Sequence, residues 1–63
     1  MITFAVTYNN RTRYASSPAG VFSLVEYITG SVPEAANVSS WAEVAAIGEV
    51  YEGDTFTVEV TEN

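Results

Sequence analysis

Both ends of the chain alternate apolar and polar residues with a period of two. Ile2, Phe4, Val6 and Tyr8 are interleaved with Thr3, Ala5 and Thr7, and Phe56, Val58 and Val60 are interleaved with Thr55, Thr57, Glu59 and Thr61. Successive side chains of a strand point to opposite faces, so each segment reads as a β-strand with one face in a core and the other in water. The whole chain has 63 residues, and one so short hides only about 60% of the surface that its unfolded form exposes. It has room for a single core, which the two terminal strands must share with whatever lies between them.

The intervening sequence carries turn and helix signals. Asn9-Asn10 suits a tight hairpin turn, because asparagine tolerates positive φ, and it predicts a second, short strand over Arg11 to Ala15. On that strand Thr12 and Tyr14 share one face, and Arg11, Arg13 and Ala15 share the other. Ser16-Ser17-Pro18 followed by Gly30 predicts a helix over 18–29, with Val21, Leu24, Val25 and Ile28 on its core stripe and Ser23 and Glu26 turned outward. Ser31 to Asn37 reads as a connection, with a helical turn at Pro33-Glu34-Ala35-Ala36 as the alternative. Ser40-Trp41-Ala42-Glu43 has the spacing of a capping box and predicts a second helix from there to Ile47, stopping at Gly48, with Val38, Trp41, Val44 and Ala45 inward. Val50-Tyr51 is a short strand candidate, followed by a turn at Glu52-Gly53-Asp54.

Assembled, these elements give an α+β domain of two layers, β-β-α-α-β with a three- or four-stranded sheet and both helices on one face. Counting direction changes with the short strand left out makes the last strand parallel to the first, in the order 2-1-3. The outer sheet face is then expected to carry threonines, alanines and the arginines.

Composition narrows the chemistry. Hydrophobic residues make up 48%, enough to offset chain entropy, so the chain is not a disordered acidic tail. It contains no His, Cys, Lys or Gln, which removes the usual general base, thiol and amine nucleophiles and soft metal ligands. Serines are present without a base to activate them, so no enzyme is expected. Glu49, Glu52 and Asp54 around Gly53 could be read as an oxygen-rich cation site, but the segment lacks the set ligand spacings of a calcium-binding EF-hand loop, so neither metal nor cofactor is expected. The first residues lack a basic leader and no stretch approaches 20 apolar residues, which argues against a signal peptide and a membrane helix. Without cysteines to staple so small a domain, a reducing, cytoplasmic setting is expected.

Charge is distributed unevenly along the chain. The net charge is −6, both arginines lie within the first 25 residues, and all eight acids lie beyond them. Direct nucleic-acid binding is therefore not expected. An acidic surface built from Glu26, Glu43, Glu49, Glu52 and Asp54, with Tyr27 and Tyr51 as exposed aromatic contacts, would instead steer onto a protein partner with a basic surface. Arg11 and Arg13, at i and i+2 on one strand face, could pair with carboxylates or phosphates, although a charged edge strand also serves simply to block further pairing.

In size, acidity and missing catalytic residue types, the chain resembles the small proteins with which phages and mobile elements block host defence nucleases, the anti-CRISPR and antirestriction proteins. The resemblance lies in composition and not in a shared motif. It implies a non-enzymatic inhibitor that covers the nucleic-acid-binding site of a host protein. The alternative expectation is a self-associating structural or accessory protein, a homodimer joined through the sheet face or the edge near Arg11 and Arg13.

Overall fold

The computed structural model describes residues 1–62. The elements are β1 (Ile2–Tyr8), β2 (Arg11–Ala15), α1 (Pro18–Thr29), α2 (Val32–Val44), β3 (Val50–Glu52) and β4 (Phe56–Glu62). They form a two-layer α+β domain with a four-stranded sheet in the order β2-β1-β4-β3, every pair antiparallel. Phe4, Val6, Ala15, Phe56, Val58 and Val60 share one sheet face and form one buried cluster with Val21 and Val25 of α1 and Ala35, Val38 and Ala42 of α2.

The last strand runs antiparallel to the first, which corrects the parallel pairing and the three-strand order inferred from the sequence. The cause is β3. Because Val50–Glu52 is a full member of the sheet, it adds one reversal of direction before β4. The chain's two ends then meet in a seven-residue ladder running from Ile2–Glu62 to Tyr8–Phe56.

The β1–β2 hairpin closes as its sequence suggests, with Asn9 at φ 55° and Asn10 at φ 64°, the two left-handed positions of a two-residue turn. α1 also keeps its predicted bounds. The Ser17 hydroxyl accepts from the Gly20 N–H at 3.2 Å, Pro18 occupies the first turn, and Gly30 at φ 68° donates its N–H to the Glu26 carbonyl at 2.8 Å.

α2 begins nine residues earlier than the Ser40 capping box implied, and it ends at Val44 instead of Ile47. Its cap is Ser31, whose Oγ accepts from the Glu34 N–H at 3.3 Å. Ser31-Val32-Pro33-Glu34 has the same spacing as Ser40 to Glu43, and Pro33 favours this start because a first-turn N–H has no helical partner to lose. Ser40 is exposed within the helix, and Ser39 is not a cap either: its Oγ donates to the Pro18 carbonyl at 3.2 Å and ties α2 to the start of α1. The earlier start also resets the buried stripe to Ala35, Val38 and Ala42. Val44 stands 200° from Ala42 around the helix at 100° per residue and is 83% exposed, where the sequence reading had it inward.

Two substitutions check this description. Ser31→Ala should cost about 1 kcal/mol and Ser40→Ala less than about 0.5 kcal/mol, read from urea midpoints. Gly53 lies against the Phe56 ring, and a Cβ there would overlap Cε1 and Cζ. Gly53→Ala should therefore displace Phe56 from the core and cost about 1–3 kcal/mol.

Candidate functional site

The strand order turns the uneven charge of the sequence into a separation in space. β2 forms one edge of the sheet and carries Arg11 and Arg13. β3 forms the other edge, carries Glu52, and is flanked by Glu49 and Asp54. Three strand spacings put these edges about 14 Å apart. α2 lies on the acidic side, where Trp41 packs against Tyr51 of β3 with ring centroids 5.5 Å apart; Glu43, about 200° around the helix from Trp41, is exposed in the last turn away from that contact. Glu59 adds an exposed carboxylate on the open sheet face, between Ala5 and Val50 in register.

These acids differ in what holds them. Glu49 is part of the local fold: its Oε1 accepts from the Ala46 N–H at 2.6 Å and closes the turn between α2 and β3. Glu34 accepts from the Tyr51 hydroxyl at 3.4 Å. Glu43, Glu52 and Asp54 are exposed and make no hydrogen bond or ion pair among the described residues. Glu43 is moreover placed against the helix dipole, in a last turn that contains no basic residue. A carboxylate at a helix C-terminus costs about 0.3–1 kcal/mol when exposed, so helix stability does not account for it.

The two tyrosines chosen from the sequence part company. Tyr51 is half-buried and not exposed: it stacks on Phe56 at 6.2 Å, leans against Trp41 and anchors Glu34. Burial raises its phenol pKa above the usual 10, and the nearby Glu34 carboxylate, with a further push from Asp54, raises it more. Tyr27 is 83% exposed, but it sits on α1, which packs over β1 and β2. Glu26 is beside it on the same helix. Both therefore stand apart from the β3 edge, which carries Glu52 and is flanked by Glu49 and Asp54. Tyr14, 69% exposed on the open sheet face beside Ala5, is an aromatic that the sequence reading did not select. Its alternation with Arg13 and Ala15 was the available signal.

The arginines are not on the open face. Arg13 pairs in register with Val6 and Arg11 with Tyr8, and directly opposed residues of an antiparallel pair share a face. Val6 faces the helices, so the arginines do as well. They lie at the rim of that face beside a cleft of about 230 Å³ between α1 and the hairpin. Val6 and Ile28 form its apolar part, while Tyr8, Asn9 and Tyr27 supply polar groups around the opening. No carboxylate lines it.

Among the described residues no group of three or more His, Cys, Asp or Glu is placed to hold a metal ion, and no helix is long and apolar enough to cross a membrane. The chain has no significant match among protein-family models, curated proteins or solved structures.

The raised Tyr51 pKa has a definite sign. Its stabilising contribution is complete below the unfolded-state value near 10 and is lost as pH rises through the higher folded-state value. Between pH 8 and 11 the urea midpoint of the parent should therefore fall more steeply than that of Tyr51→Phe, which keeps the ring packing without the ionisable group.

Proposed function

We propose that the protein is a non-enzymatic binding module whose acidic β3 edge, with Glu43 of α2, occupies a basic site on a partner protein. The site it fits is one that otherwise holds nucleic acid, and the setting is the cytoplasm. The compositional resemblance to phage and mobile-element proteins that block host defence nucleases supports an inhibitory role. The observation that carries the reading is the position of Glu52 and Asp54, two exposed carboxylates without internal partners on and beside one sheet edge, together with Glu43, exposed in the last turn of α2 and disfavoured by its own helix. Such a surface speeds encounter with a positively charged partner and selects against acidic ones.

The test uses a partner isolated on the immobilised protein. Glu43→Gln, Glu52→Gln and Asp54→Asn combined should slow association by about tenfold at low salt and change dissociation much less. Glu49 and Glu34 are left intact because they hold the fold. Glu43→Gln alone should raise stability by a few tenths of a kcal/mol while weakening binding, which separates a binding role from a structural one. An affinity indifferent both to salt and to these three charges would overturn the reading.

A further inference from the structure

The chain's two basic side chains stand beside each other without an ion pair among the described residues, although eight acidic side chains are present. Neither arginine side chain makes an ion pair or hydrogen bond among the described residues. Residues i and i+2 of a strand stand about 7 Å apart on one face, so the two guanidinium groups repel each other, and both residues are exposed. A bound anion relieves that repulsion. The cleft next to them adds the Tyr8 and Tyr27 hydroxyls as donors and the apolar surface of Ile28.

The backbone of β2 supplies a second, independent observation. The two-residue turn makes Tyr8–Arg11 a hydrogen-bonded pair, and alternation along the ladder gives Val6–Arg13 and Phe4–Ala15 the same status. The N–H and C=O groups of Thr12 and Tyr14 therefore point away from β1, along an edge of the sheet that no other strand covers. A segment that paired with Thr12 and Tyr14 would meet Arg11 and Arg13 at the intervening positions, where opposed Cα atoms approach to about 4.5 Å and side chains interact most closely.

We infer that the β2 edge and the arginine cleft together bind an extended acidic peptide segment of a protein partner, added as a fifth strand, with carboxylates at alternate residues paired to Arg11 and Arg13. Alternate carboxylates match the spacing of the two guanidinium groups, and the backbone groups of Thr12 and Tyr14 set the register. A second copy of the chain fits less well. Pairing the full Arg11–Ala15 strand antiparallel with itself sets Arg13 against Arg13, and like charges directly opposed are destabilising. A nucleic acid would bring no peptide N–H and C=O groups to pair with those of Thr12 and Tyr14. This site lies at the sheet edge opposite the acidic one, and it stands or falls independently of the function proposed above.

The probe is a capped peptide, Thr-Val-Glu-Val-Glu-Val-Thr, titrated into the ¹⁵N-labelled protein. Binding should shift the Thr12 and Tyr14 amide signals and protect them from hydrogen exchange. Arg11→Gln with Arg13→Gln should weaken binding by about tenfold or more, and so should replacing the peptide's glutamates by glutamines. Methylating the peptide nitrogens that face β2 should also abolish binding, and this needs no change to the protein. Three results would overturn the proposal: no shift at millimolar peptide, shifts that avoid the β2 amides, or equal binding of the glutamine peptide. Tighter binding of inorganic phosphate or of an oligonucleotide at the same arginines would also overturn it, because the strand pairing would then be unnecessary.

Discussion

The ladder between β1 and β4 is the interaction on which the rest of the structure depends. It joins the two ends of the chain over seven residues in register and places Phe4, Val6, Phe56, Val58 and Val60 in the centre of the sheet. Neither helix has a surface to pack on until this pairing exists, since the buried stripes of α1 and α2 rest on those side chains. The ladder is also the least local contact in the molecule, so its loop-closure cost is high and is met only when the helices between the two strands are already compact. The tie from Ser39 to the Pro18 carbonyl and the small Ala35 and Ala42 side chains, which let the helices approach closely, serve that compaction.

A core this thin covers only one face of the sheet, and the exposed features follow from that limit. The open face carries threonines, Glu59 and Tyr14, the mixture that a sheet surface in contact with water tolerates. On the helix side two short helices do not reach both edges. Arg11 and Arg13 stay uncovered at one edge; at the other, Glu52 is opposed to Thr57 in register and so stands on the open face with Glu59. The molecule is thus polar across its sheet, and a partner at one edge need not compete with a partner at the other.

The local signals were legible in the sequence wherever one residue type had a single physical use. Alternation marked β1 and β4, paired asparagines with positive φ marked the hairpin, and Pro18 and Gly30 bounded α1. The start of α2 was not legible, because Ser31 to Glu34 and Ser40 to Glu43 satisfy the same capping geometry and only the packing of Ala35 and Val38 against α1 and the sheet decides between them. The grouping of Glu49, Glu52 and Asp54 around β3 could be anticipated from their closeness in sequence. That Tyr51 is an internal prop and that Tyr27 belongs with the arginines could not, since both depend on which strand each helix covers.

The sequence by itself determined that this is an α+β domain with two strong terminal strands, an excess of acidic residues, and no His, Cys or Lys. These properties reside in composition and in periods of two and 3.6, which hold whatever the chain packs against. Tertiary structure alone decided the direction of the last strand, the true start of α2 and the side of the sheet on which the arginines lie. Each turns on a pairing between residues distant in sequence. A three-residue strand, β3, reverses the parity of the sheet, and the register of β2 on β1 carries the arginines to the helix side, outcomes set by hydrogen bonding across the sheet that local propensity does not encode.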